Sequence, residues 1–308
     1  MDFLKALESI RSPFLDAVMS AVTTLGEETL FLAVGLFVFW CVNKYKGYYV
    51  LFTGLLTTII NQVLKLIFRI PRPWVRDEGF SIVESAREAA TGYSFPSGHT
   101  ASAAVTMGGI ARFSRRIWVR AVCIALLALV ALSRIYLGVH TLLDVSVSLI
   151  ISLVLVFALY PLFVKAEQKP VILYYICGAL MLFAAAEVLF TELFPFPADI
   201  DADNLDSGLK TGYTLLGTSV GIFIAVILDN RYTHFETHAV WWAQILKTAL
   251  GLGTAIAIRM ALKPVLNGLF GGHHAADAIR YLAVTVFAGA VWPLTFKWFA
   301  SMGKKSIR

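Results

Sequence analysis

Apolar residues run in nine blocks with few charged positions, at about 29–42, 48–68, 98–111, 117–133, 140–164, 171–190, 211–228, 239–262 and 278–300. Roughly 20 apolar residues span a bilayer as a helix, so the pattern predicts about nine transmembrane helices, the third being the shortest. The opening of the chain differs. Lys5, Glu8, Arg11 and Asp16 are interspersed at helical spacing with Phe3, Leu4, Leu7, Ile10, Phe14, Leu15, Val18 and Met19. That pattern predicts an interfacial amphipathic helix over residues 1–26. A signal peptide is set aside, because no uninterrupted apolar stretch follows a basic start.

Composition agrees with the pattern. Of 308 residues, 58% are hydrophobic and only 15% charged, with a mean hydropathy of +0.74. A soluble domain carries about 25% charged residues, which excludes a water-soluble globule and leaves an all-α polytopic membrane protein. The net charge of +6 does not point to nucleic acid, since the basic residues sit in short connections and form no soluble basic face. Cys41, Cys123 and Cys177 fall inside apolar blocks and imply no disulfide framework.

If the spans alternate, Lys44, Lys46, Arg112, Arg115, Arg116, Arg120, Lys165, Lys169, Arg231, Lys304, Lys305 and Arg308 share one side. The positive-inside rule makes that side cytoplasmic. The N-terminal helix, the loop of about 74–97, the turn near 134–140, the acidic stretch from Asp199 to Asp206 and the segment 263–277 are then expected outside. Before about residue 165 the spans carry several ionisable groups at their outer ends and afterwards only scattered ones, which places the chemistry in the first half.

Three segments carry it. Lys65, Arg69 and Arg72 are spaced i, i+4, i+7. A helix continuing through Ile70 would set them on one face over about 10 Å, on the side where few cations are expected. Interfacial snorkelling is the plain alternative. Next, Pro96-Ser97-Gly98-His99 opens a small-residue helix whose first N–H groups and dipole make an anion site. An N-cap with an incidental histidine explains that segment equally well by itself. Finally, His140 and Asp144 stand at i and i+4 at a helix start. There a carboxylate can hold one ring nitrogen and leave the other facing outward as nucleophile or base. Arg134 lies one turn away, and a structural His–Asp pair is the alternative.

All three segments map to the same membrane face. Cations, a helix N-terminus and two histidines, one backed by a carboxylate, are the parts that phosphoryl transfer through a phosphohistidine requires. No metal or other cofactor is expected, because Lys65, Arg72 and Arg134 can neutralise the charge a metal ion would otherwise meet.

Lys65-x6-Arg72-Pro73, Pro96-Ser97-Gly98-His99 and Ser133-Arg134-x5-His140-x3-Asp144 resemble, in order and spacing, the signature of the type 2 phosphatidic acid phosphatase (PAP2) family, the lipid phosphate phosphatases. The resemblance covers about 65–144. It implies a metal-independent phosphatase with its pocket at the non-cytoplasmic face of a helical membrane core. His140 would be the nucleophile, Asp144 its orienting partner and His99 the acid protonating the leaving oxygen. Lys65, Arg72, Ser97, Gly98 and Arg134 would hold the phosphate, while Arg69 falls at a variable position of the motif. The implied organisation is an interfacial helix over 1–26, a PAP2-like core over 27–165 and a membrane domain of about four helices over 166–308.

The expected partner is an amphiphilic phosphate from the membrane of a bacterial cell: phosphatidate, phosphatidylglycerol phosphate, a polyprenyl pyrophosphate or a sphingoid phosphate. The chain leaves homo-oligomer formation open. The alternatives are a sugar-phosphate phosphatase of the glucose-6-phosphatase type and a lipid-phosphate carrier or scramblase, for which Glu187, Lys247 and Arg259 would supply polar groups. Snorkelling at span ends is the simpler reading of those three. His234-x3-His238 has zinc-compatible helical spacing and His273-His274-x2-Asp277 could catch a metal, but neither has a full ligand set, so solvated loop histidines are expected. The loop of about 74–93 is expected either as a lid, with Phe80, Ile82 and Val83 shielding a lipid chain, or as a solvated connector.

Overall fold

A computed structural model describes residues 2–302; Lys304, Lys305 and Arg308, read above as cytoplasmic cations, lie outside the described residues. Among the described residues the chain is helical and contains no strand. The helices are α1 (Asp2–Ser9), α2 (Pro13–Thr23), α3 (Glu28–Phe37), α4 (Lys44–Phe68), α5 (Pro73–Arg76), α6 (Gly98–Phe113), α7 (Ile117–Tyr136), α8 (Leu142–Gln168), α9 (Val171–Leu193), α10 (Ala202–Leu228), α11 (Trp241–Leu269), α12 (Ala275–Val286) and α13 (Phe296–Ser301). Every apolar block forms helix. Among the described residues, 7 segments are long and apolar enough to cross a membrane, or 8 if the pair Pro13–Gly26 and Glu28–Val42, bent by 49°, is one broken span. The shortfall from nine lies in that bend and in α6, whose 16 residues rise only about 24 Å. Ile117, Trp118 and Ile124 on α7 and Ile150, Val154 and Phe157 on α8 are exposed, as lipid-facing side chains are, and the protein is an integral membrane protein.

The chain divides into two compact, interleaved units: Met1–Leu32, Phe52–Tyr160 and Leu193–Gly208 form one, and Ala33–Leu51, Pro161–Glu192 and Leu209–Arg308 the other. In the first, α6 packs chiefly on α7, where α1 and α2 also pack. The small side chains Ala101, Ala103 and Ala104 of α6 are buried, which lets helices approach closely in a bilayer. The single N-terminal helix expected over 1–26 is two helices. Pro13 lacks an N–H and favours a first helical turn, and Ser12 caps α2 by accepting from Leu15 N at 3.4 Å. Leu4 of α1 is buried with Phe80, Ala131, Ile135 and Val145, so this amphipathic face covers protein.

In the second unit α10 crosses α12 where Gly217 meets the Ala278 backbone and Gly221 would bring a Cβ within 2.9 Å of Leu282 O. Lys247 does not snorkel. It is fully buried, donates to Trp40 O at 2.8 Å and Thr237 O at 3.2 Å, and lies 4.2 Å from the Phe296 ring centre. Glu187 is likewise internal, with neither carboxyl oxygen hydrogen-bonded. His234 and His238 are not on a helix: His234 takes a left-handed φ of 42° and the chain to α11 is irregular. Asp277 accepts from Arg280 and lies 3.3 Å from His274 Nδ1, so its carboxylate is engaged within the protein.

Candidate active site

The first basic segment departs from a continuous helix for a local reason. Pro71 has no N–H, and the residue before a proline avoids the helical region. Accordingly α4 stops at Phe68 and Arg69 adopts a left-handed φ of 49°. Lys65, Arg69 and Arg72 therefore do not share a helix face. Arg69 points to an outer cavity, while Arg72 turns inward and is buried. Its guanidinium donates from Nε to Gly92 O (3.1 Å), from Nη1 to Val139 O (3.0 Å) and from Nη2 to Thr91 O (2.6 Å). Nη1 also lies 3.0 Å from His140 Nε2. Arg72 thus ties the first segment to the third and to the end of the 74–93 loop. Lys65 lies alongside, its Nζ 3.5 Å from where a Cβ on Gly92 would sit.

In the second segment Ser97 caps α6, its Oγ accepting from Thr100 N (3.4 Å) and Thr100 Oγ1 (2.9 Å). Its own N–H goes to Asp144 O at 3.2 Å, so Ser97 joins segments as well as opening the helix. A Cβ built on Gly98 would meet nothing within 4 Å, leaving room above the first N–H groups. His99 Nε2 is buried and unpartnered. Behind the same residue, a Cβ on Gly26 would come within 2.7 Å of His99 O. The chain after α2 therefore backs this histidine.

In the third segment Arg134 is fully buried. One guanidinium nitrogen, Nη1, donates to Thr23 Oγ1 of α2 at 2.6 Å, whereas Nε and Nη2 have no partner. Gly138 takes a φ of +81°, and a Cβ there would lie 2.7 Å from Arg11 Nη2 and 2.9 Å from Phe80, so only glycine fits this tight turn. His140 follows, with Nδ1 3.6 Å from Asp144 Oδ2. That oxygen accepts from Ser94 Oγ (2.6 Å) and Thr141 N (2.7 Å). Burial, with Arg72 alongside, holds the His140 imidazole well below its ordinary pKa.

Lys65, Arg72 and Arg134 all act electrostatically on His99, and Arg72 and Arg134 on His140. Buried donors without partners are costly, and here they belong to Arg134 and His99 within one cationic pocket. An oxyanion would complete them. Thr23, Gly26 and Ser94 escape a motif reading, because each reaches the site by hydrogen bond or close contact from another part of the chain. Thr141 lies inside the third segment, where it exchanges capping hydrogen bonds with Asp144.

Outside the pocket lies a cavity of about 740 Å³, bordered by Arg69 and Arg72 on one side, by Val75, Ala90, Gly92 and Tyr93 at both ends of the 74–93 loop, and by Asp199, Asp201 and Asn204. The loop thus borders the cavity through its ends. Phe80, Ile82 and Val83 do not face a lipid chain. Phe80 and Ile82 pack with Leu4 and Ile135, and Val83 packs with Leu137 and Val139. Within the acidic stretch, Asp201 caps α10 by accepting from Asn204 N at 2.9 Å, and Asp203 and Asp206 belong to that helix.

Fold and site together define a helical membrane protein with a cationic, histidine-bearing pocket suited to a phosphate. Residues 46–168 match the PAP2 superfamily, and residues 213–304 match the transmembrane extension of PAP2 superfamily phosphatases. Over 168 residues the chain is 32% identical to phosphatidylglycerophosphatase B of Bacillus subtilis, an alignment covering 50% of this chain and 77% of that protein. The crystal structure of Aquifex aeolicus LpxE superimposes with a TM-score of 0.45 at 25% identity, covering 51% of this chain and 92% of that one. The chain belongs to the PAP2 superfamily and is a membrane phosphatase.

Proposed function

We propose that the protein hydrolyses a lipid phosphate monoester through a phosphohistidine on His140, without a metal ion. The observation that carries this reading is His140 itself: a buried imidazole with Nε2 3.0 Å from Arg72 and Nδ1 turned toward Asp144. His140 Nε2 attacks phosphorus, the P–O bond to the lipid breaks, and His99 gives its proton to the departing oxygen. Water then attacks the phosphohistidine, yields its proton to His99, and the P–N bond breaks to release inorganic phosphate. Lys65, Arg72, Arg134, Ser97 and the amides at Gly98 hold the phosphate oxygens, and Asp144 stabilises the ring as it gains charge.

The cation-rich connections at Lys44–Lys46 and Arg112–Arg120 support a site on the extracytoplasmic face of a bacterial plasma membrane. The name of the Bacillus relative makes phosphatidylglycerol phosphate the first substrate to try. Residues 27–165 are proposed as the catalytic core, 166–308 as its membrane extension and 1–26 as the helices that brace the core. Inorganic phosphate released by protein purified in detergent from a panel of lipid phosphates tests this. Release at enzymatic turnover that vanishes in His140→Ala is expected. Binding without release in every case would make the protein a carrier.

A further inference from the structure

Ser94 lies outside the three motif segments, yet it bonds to the first and the third and directly precedes the second. Its backbone N–H donates to Ile70 O at 2.8 Å, just after the Lys65 helix. Its side chain is fully buried and donates to Asp144 Oδ2 at 2.6 Å, three residues before Ser97 caps α6. Asp144 Oδ2 is also the carboxylate oxygen that faces His140 Nδ1, at 3.6 Å, a separation longer than a hydrogen bond. In this state the imidazole Nδ1 has no partner, and the oxygen it must reach is held in place by Ser94 and by Thr141 N at 2.7 Å.

We propose that Ser94 is a positioning residue for phosphoryl transfer, acting through Asp144. This rests on the phosphohistidine reading above. Attack by Nε2 turns the ring into a cation, and Asp144 must then meet Nδ1–H without swinging away. Two donors on one carboxylate oxygen, arriving from separate parts of the chain, restrict rotation about its terminal torsion more than either does alone. Ser94 supplies the second donor, from a loop anchored to the end of the first basic segment. Packing of the phosphate loop and aim of the nucleophile are thereby coupled through one hydroxyl. Ser94 touches neither the phosphate nor the reacting nitrogen, so its loss should alter turnover and not substrate affinity.

The test is a double-mutant cycle on full-length protein in detergent micelles with phosphatidylglycerol phosphate, measuring kcat and KM separately. Ser94→Ala should lower kcat by about 10- to 100-fold, the range for losing a buried hydrogen bond to a charged group, with KM changed less than about twofold. In an Asp144→Ala background the same substitution should cost less than about twofold, because the residue it acts through is gone. Ser94→Thr keeps the hydroxyl and should restore kcat to within about threefold of the parent. That variant also guards against a general packing defect in Ser94→Ala. Equal losses in both backgrounds, a change confined to KM, or a threonine as slow as alanine would overturn the assignment while leaving the phosphohistidine reading intact. Full activity in Asp144→Ala would overturn that reading and this inference with it.

Discussion

Replacing Arg72 by lysine keeps the charge and removes the fork, and so separates two explanations of the basic pocket. The Arg72 guanidinium donates to the buried carbonyl of Val139 and to the part-buried carbonyls of Thr91 and Gly92, and it also meets His140 Nε2. A lysine ammonium is a point donor on a flexible stem and satisfies one of those carbonyls while it faces His140. Two are left without a donor. A buried group left unsatisfied costs about 1–3 kcal/mol, and access of water to the part-buried Thr91 and Gly92 carbonyls holds the loss for the pair to about 1–3 kcal/mol. If that energy holds the catalytic arrangement, kcat/KM falls by about 5- to 150-fold. The assay is initial-rate release of phosphate from a micellar lipid phosphate across a range of substrate concentrations. If Arg72→Lys retains kcat/KM within about threefold, positive charge alone suffices and the account of the guanidinium as a three-way tie is wrong.

Other expectations follow from the same geometry. Because burial and Arg72 push the His140 pKa down, the nucleophile stays unprotonated as pH falls through 6.5, and the acid limb of kcat/KM should lie below the ordinary histidine range. Arg72→Gln removes one cause of the depression and should move that limb upward; a pH–rate profile with the limb unmoved would contradict this. Gly26→Ala places a methyl group 2.7 Å from His99 O and should slow turnover of substrates with poor leaving groups more than that of nitrophenyl phosphate. Equal slowing of both would mean that His99 only binds. Treatment with EDTA should leave activity unchanged, whereas loss restored by Mg²⁺ would overturn the metal-independent mechanism.

The chain announced its spans and its three motifs plainly, for reasons that are local. Long apolar blocks with few charges have few alternatives to membrane helices, and Arg72, His99, Arg134, His140 and Asp144 do come together. Spacing along a helix misled where the helix stopped. Pro71 ends α4, so Arg69 leaves the face that i, i+4, i+7 arithmetic assigned to it. The amphipathic start likewise read as a surface helix. Periodicity shows that a face is apolar, not whether lipid or protein covers it, and Leu4 is covered by Phe80 and Ile135. Ser94, Thr23 and Gly26 were silent for a third reason: each acts across more than 40 residues of chain, through contacts that no single-segment pattern encodes. Glu187 and Lys247 were misjudged because burial within a helical bundle depends on neighbours the chain order does not reveal.

The central claim is the covalent intermediate on His140. Purified protein mixed with a lipid phosphate radiolabelled in its phosphoryl group, quenched with alkali within one turnover, should carry label that withstands base and is lost in acid, as a phosphohistidine is. Peptide mapping should place that label at His140, and His140→Ala should carry none. Label at another residue, label persisting in His140→Ala, or phosphate release during turnover with no labelled protein at any quench time would contradict the account.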